Sequence, residues 1–330
     1  MKQRPLLSFI VKLALSLLFL ALIFRAVDVA SVWDHVLKVD VLQLALSIGL
    51  FFPAQLLMAY RWHWLLKTLG HRFSYQAVLH HNLRGQFAAL FLPGQLSGDI
   101  VRGVSIARGS SGKSTLALSI IIDKVALLAA LAIVACAGGF WSPVLDQVPN
   151  LILSSAMLLI ITVVALLLLA FLRIQPNRLA AMSGMLPRPL RRFSDALLFD
   201  LSVPTLSLKL MSLVLMLALA VQLISTLGGF FLMRAMGIPI AILDWAAINA
   251  VVAVAQIFPL SIGGIGVREG ILIGMLSLYG VGAAAATAFS LLSFFFVALL
   301  VSLSWLMSDL LVKQVRPALQ GETAVKEVLQ

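Results

Sequence analysis

The chain has 330 residues, 62% of them hydrophobic and only 11% charged, with a mean hydropathy of +1.07. A soluble domain of this length carries roughly a quarter charged residues, so the composition excludes a soluble globular enzyme and describes a polytopic membrane protein. The net charge of +11, from 24 Lys and Arg against 13 Asp and Glu, falls mainly in short loops; this is the positive-inside pattern rather than a nucleic-acid surface, and the excess favours anionic lipid headgroups as partners.

Met1 to Arg4 and the apolar run at about 6–24 have the outline of a signal peptide. The run is long and no Ala-x-Ala site follows it, so it is read as an uncleaved first span. Further runs long enough to cross a membrane lie at about 41–59, 114–139, 150–172, 207–233 and 286–312. Two segments, about 75–97 and 245–280, are interrupted. The first contains FLPGQLSGDIVRG (91–103), with Pro93, Gly94 and Gly98. The second contains FPLSIGGIGVREG (258–270), with Pro259, Gly263, Gly264 and Gly266. Broken helices at membrane depth are tolerated where they are buried in protein or line a cavity.

The loops at 61–72 (Arg61, Lys67, Arg72), 102–113 (Arg102, Arg108, Lys113) and 173–192 (Arg173, Arg178, Arg188, Arg191, Arg192) are basic, as is the C-terminal tail with Lys313, Arg316 and Lys326. Those at 25–40 (Asp28, Asp34, Asp40), 140–149 (Asp146) and 234–244 (Arg234, Asp244) are acidic or poor in charge. Placing the basic loops in the cytoplasm gives six spanning helices and two re-entrant hairpins, one entering from each side, with both termini cytoplasmic. The expected fold is therefore all-α: a single integral membrane domain over 1–330. Its halves are 1–140 and 141–316, followed by a tail at 317–330. Pro93, Gly98 and Arg102 match Pro259, Gly264 and Arg268 at an offset of 166 residues, which the second and fifth spans share. This predicts an inverted repeat, a transporter architecture whose substrate site lies where the broken helices meet.

The charged residues near the breaks are the candidate substrate-binding groups. Gly263, Gly264 and Gly266 allow close backbone approach and leave N–H groups at a half-helix N-terminus, which attracts phosphate or carboxylate. Arg268 adds a bidentate fork. The alternative is a structural Arg268–Glu269 pair that holds the hairpin, and the two are compatible. Asp99 and Arg102 share a helix face; they form either a charge-balanced anion site or an ion pair at the membrane surface. Asp123 and Lys124 stand within a long apolar run and point about 100° apart, so each needs a partner elsewhere. Arg102 or Arg268 would serve Asp123, either in a structural network or in a headgroup or proton-coupling role.

Other features point to bland roles. Arg84, Lys12, Lys209 and Arg234 are placed to snorkel. Trp33, Trp62, Trp64, Trp141, Trp245 and Trp305 read as aromatic belt, and His80 and His81 as interfacial. ARGSSGKS (107–114) has Ala107 where a Walker A loop begins with glycine, and no strand precedes it. Cys136, the single cysteine, excludes an intramolecular disulfide and a cysteine zinc cluster. No metal or other cofactor is expected.

The order FLPGQLSGDIVRG, then Asp123–Lys124, then FPLSIGGIGVREG resembles the flippase-like family named for the transmembrane region of lysylphosphatidylglycerol synthase, over nearly the whole chain. That family usually has Gly-Gly-Asp where this chain has Ser97-Gly98-Asp99, and Asp-Arg where it has Asp123-Lys124. Lys124 cannot make the bidentate phosphate contact of an arginine. The resemblance implies a protein of the bacterial inner membrane that moves, or helps move, a lipid between leaflets, and the chain is not expected to be an enzyme. In the synthase this region is joined to a soluble aminoacyl-transferase domain; none is read here, so lysyl transfer is not expected. The alternatives are an accessory subunit of a lipid-modifying system, or a membrane-embedded enzyme acting on lipid phosphates.

Overall fold

A computed structural model describes residues 29–92, 94, 96–107, 112–141, 208–257, 261 and 263–328. The expected spans at 6–24 and 150–172, and both Pro93 and Pro259, lie outside the described residues. Those residues form α1 (Val29–Leu37), α2 (Val41–Thr68), α3 (Tyr75–Ala89), α4 (Leu96–Ile106), α5 (Lys113–Trp141), α6 (Leu208–Ala235), α7 (Ile242–Ile257), α8 (Val267–Ser277) and α9 (Ala283–Val328). The architecture is all-α. Among the described residues, four helical segments are long and apolar enough to cross a membrane: Val41–Thr68, Lys113–Gly138, Lys209–Ala235 and Ala283–Leu310.

The helix boundaries follow local chemistry. Asp40 caps α2, its carboxylate accepting from Leu42 N at 2.8 Å and Gln43 N at 3.1 Å. Ser74 caps α3 through Ala77 N. The helices stop between Ala89 and Leu96 and again between Ile257 and Val267. In the second interval Gly263, Gly264 and Gly266 take φ of +60°, +78° and +87°, a region that side chains disfavour. Gly98 has a different role from the helix break expected of it. It lies inside α4, where a Cβ would come within 2.7 Å of Gly85 O, and a Cβ on Gly85 would come within 2.5 Å of Gly98 O. The glycine pair lets α3 and α4 cross almost backbone to backbone.

Three corrections concern the ends and faces of helices. The expected loop at 61–72 is helical through Thr68, because the apolar pattern resumes after Arg61 with Trp62, Trp64, Leu65 and Leu66, and Arg61 turns inward. The acidic loop at 25–40 contains helix α1. The segment expected as a tail, 317–330, is helical as far as Val328, in continuation of α9. Trp62 and Trp245 are also buried, not belt residues. Their indole N–H groups find acceptors inside the bundle, Ser119 Oγ at 3.1 Å and Thr226 O at 3.0 Å.

Packing joins the two halves of the chain. α2 lies antiparallel to α6 over most of its length. Asp40 N donates to Ala235 O at 2.8 Å at one end, and Gly228 approaches Ser47 and Leu50 further along. α5 packs on α7 through small residues, with Leu131, Ala132 and Ala135 against Ala250. α9 packs on α3, where Phe87 stacks on Trp305 with centroids 4.6 Å apart and His80 Nδ1 meets Ser308 Oγ at 3.0 Å. The long helix of each half thus packs on the first member of the other half's broken pair. This arrangement brings the two breaks together. A Cβ at Gly263, in the second break, would lie 3.0 Å from Leu90 O in the first.

Candidate functional site

A cavity of about 390 Å³ opens where the breaks meet. Its wall includes Met58 and Arg61 of α2, Asn82 and Gln86 of α3, Gly98, Asp99 and Arg102 of α4, and Asp123 and Lys124 of α5. Gln256, Gly263, Gly264, Arg268, Ser293 and Phe294 complete it from the second half of the chain. The structure therefore brings Asp99, Arg102, Asp123, Lys124, Gly263, Gly264 and Arg268 around one space. Glu269 stands behind that wall, buried.

One side of the cavity is a continuous charged network. Asp123 is 3% exposed and bridges two arginines: Arg61 Nε donates to its Oδ1 and Arg102 Nη2 to its Oδ2, both at 2.7 Å. Arg102 also pairs with Asp99 at 3.0 Å and donates from Nη1 to Asn82 Oδ1 at 3.0 Å. Lys124 Nζ pairs with Asp99 Oδ2 at 2.5 Å. Asp123 and Lys124 take separate partners, as their angular separation on the helix requires. Arg102 is the partner of Asp123; Arg268 is not. Arg102 is also no surface ion pair, being 3% exposed with its guanidinium 4.5 Å from the centroid of Trp62. Buried charges survive only when paired and hydrogen-bonded, and removing one partner typically costs about 3–5 kcal/mol.

The Arg268 part of the wall is built differently. Glu269 Oε2 accepts from Gly266 N at 2.6 Å at the start of α8, the glutamate half of a capping box; Gly266 has no side chain to supply the other half. The half-helix N-terminus expected to receive an anion is thus met by the protein's own carboxylate at Gly266. Arg268 Nη2 donates to Glu269 Oε1 at 2.8 Å and to Ser290 O at 2.9 Å, and its Nε donates to Ser290 Oγ at 2.7 Å. Ser290 Oγ in turn donates to Glu269 Oε1 at 2.7 Å. The structural pairing of Arg268 with Glu269 is present, and Arg268 still faces the cavity.

A second cavity of about 300 Å³ adjoins the first. It shares Met58, Gln256, Arg268, Ser293 and Val297 with it, and its wall is mainly apolar, including Phe51, Leu232, Leu272 and Phe289. Among the described residues, Arg268 is the charged residue on its wall.

Sequence reasoning missed Arg61, Asn82 and Ser290. Arg61 had a readable signal, since the apolar pattern does not end at its position. Asn82 and Ser290 are common polar residues whose partners lie 20 and 21 residues away, and nothing local marks them. Arg84 is exposed. His80 is buried against Ser308, and the half-buried His81 meets Ser105 Oγ at 2.8 Å. Among the described residues no group of three His, Cys, Asp or Glu side chains is placed to hold a metal ion.

Fold and site define a polytopic helical membrane protein with a charged cavity between two interrupted helix pairs. The family model for the lysylphosphatidylglycerol synthase TM region matches residues 9–304. The chain belongs to that family, which ties it to lipid modification or translocation in a membrane. No curated protein matches the chain.

Proposed function

We propose that the protein is a lipid translocase of the bacterial inner membrane and not an enzyme. It would bind an anionic or lipid-linked headgroup in the charged cavity while the hydrocarbon tails stay in the bilayer. The observation that carries this reading is the charge around the cavity: Arg61, Arg102, Lys124 and Arg268 against Asp99 and Asp123. Such charges are expensive at membrane depth unless they are paired or face a cavity, and they mark substrate pathways. The excess of cations suits an anion.

The antiparallel α2 and α6, and the reciprocal packing of α5 on α7 and α9 on α3, support an inverted repeat with halves 1–140 and 141–316. Each half would contribute a re-entrant hairpin, α3–α4 and α7–α8, and rocking of the halves would expose the site to alternate leaflets. Both termini would be cytoplasmic. Exposed Arg72 and Pro239 test this arrangement. In a Cys136→Ser background, R72C should react with impermeant thiol reagent only from the cytoplasmic side and P239C only from outside. Labelling of both from one side would sink the inversion.

The function itself is tested in proteoliposomes containing only this protein, offered a panel of fluorescent phospholipids and polyisoprenyl phosphates. Movement of one lipid class between leaflets by wild type, lost in Arg268→Ala, is the expected result. No movement across the panel by folded protein would remove the translocase. Stoichiometric co-purification with a lipid-modifying enzyme would then identify an accessory subunit, and turnover of lipid phosphates would identify an embedded enzyme.

A further inference from the structure

The headgroup reading leaves open where in the cavity an anion would sit, and the hydrogen bonds narrow this. Arg61, Asp123, Arg102 and Asn82 form one chain of donors and acceptors, with links of 2.7, 2.7 and 3.0 Å. Both ends of the chain stop at a donor. Among the described residues, Arg61 Nη1 and Asn82 Nδ2 are buried and have no acceptor, and the same holds for Arg102 Nε between them. Arg61 and Asn82 are each only 1% exposed overall, and both line the cavity. A buried donor without an acceptor is destabilising, and burial next to charge makes it more so. The Arg268 side differs: Nε and Nη2 of its guanidinium donate to Ser290 and Glu269, which leaves Nη1, and Gly266 N is met by Glu269.

We propose that Arg61 and Asn82 form the seat of a phosphate oxyanion, with Lys124 supplying further positive charge, and that Arg268 is not its principal ligand. The proposal rests on the translocase reading only for the seat's purpose, since the donors are there whatever the protein moves. A phosphate offers several oxygens with diverging lone pairs, so it can accept from more than one donor of the chain at once. Arg61 meets it with one arm of its fork while the other holds Asp123, which a lysine could not do. The same chemistry is presented by a phospholipid headgroup and by free phosphate.

The test uses full-length protein in neutral detergent, titrated calorimetrically with dihexanoyl phosphatidic acid and, separately, with inorganic phosphate. Arg61→Lys keeps a cation beside Asp123 and removes the second arm. Asn82→Asp keeps an oxygen for Arg102 and replaces the donor with an acceptor, at the same size. Arg268→Lys is the comparison, and a thermal melt verifies that each variant is folded. Binding should weaken at least tenfold in R61K and in N82D, the range for a lost hydrogen bond to a charged group, and less than threefold in R268K. Tighter binding of the phosphatidate would assign the seat to a lipid headgroup; equal binding would assign it to free phosphate.

Wild-type affinity in folded R61K and N82D would overturn the proposal. So would a larger loss in R268K, or no binding of either probe by wild type. The two readings fail separately. Phosphate binding that is lost in these variants, beside a wild type that moves no lipid, removes the translocase and leaves the seat. Lipid movement by wild type, with binding and movement unchanged in R61K and N82D, does the reverse.

Discussion

The two charged clusters adjoin one cavity and are built on different plans. The cluster around Asp123 ties four helices together: Arg61 of α2, Asn82 of α3, Asp99 and Arg102 of α4, and Lys124 of α5. Its pairs reach across 62 and 21 residues of sequence, and it keeps donors in reserve. The cluster around Glu269 joins two neighbours on α8 to one serine of α9 and ties Arg268 Nε and Nη2 and the Gly266 N–H within itself. The first is a tertiary clamp open to a ligand. The second is a brace that fixes the start of a helix. Similar Pro-Gly-Arg motifs in the sequence therefore yield different electrostatics, because the first pairs with a buried aspartate on another helix and the second with its own neighbour.

The strongest way to break this contrast is to remove the hub of the clamp. Asp123→Ala leaves Arg61 and Arg102 buried without their shared carboxylate and should cost about 3–5 kcal/mol, read as a lowered thermal midpoint in detergent. An unchanged midpoint would show that the clamp holds nothing. Gly98→Ala tests the crossing that positions Asp99 and Arg102. Its new methyl would press on Gly85 O, for a loss of about 1–3 kcal/mol from overpacking on the same melt. Ser290→Ala removes the partner shared by Arg268 and Glu269, and should cost about 1–2 kcal/mol, near the upper end for hydrogen bonds between membrane helices. A larger loss than in D123A would reverse the ranking of the two clusters. The smallest effect is expected at Gly274, exposed on α8 with open space around a Cβ. G274A should stabilise by about 0.5–1 kcal/mol, the usual gain for Ala over Gly within a helix.

Much of the fold was legible because membranes make hydropathy a direct reading of helix position. The starts of α2 and α6 and the two interrupted stretches were visible as apolar runs and glycine clusters. What failed were inferences from charge alone. Arg61 was read as the edge of a loop because an arginine usually ends a span; here a partner on α5, far along the chain, lets it lie inside. Trp62 looked like a belt residue for the same reason, yet it packs under Arg102. The site was legible in part. Asp99, Arg102, Asp123, Lys124 and Arg268 were each marked as charges in apolar surroundings, but their pairing, and the capping of Gly266 N by Glu269, depend on tertiary geometry that one sequence does not encode locally.

The most direct test of the central claim, that both halves of the chain serve one headgroup cavity, is the rate of lipid movement in proteoliposomes for Lys124→Gln and Arg268→Gln beside wild type. Each removes one cavity cation, the first from the clamp and the second from the brace. The account predicts that both variants, folded by their melts, slow movement of the same lipid at least tenfold. A wild-type rate in either variant would contradict it, because that half of the chain would then have no part in the passage of the lipid.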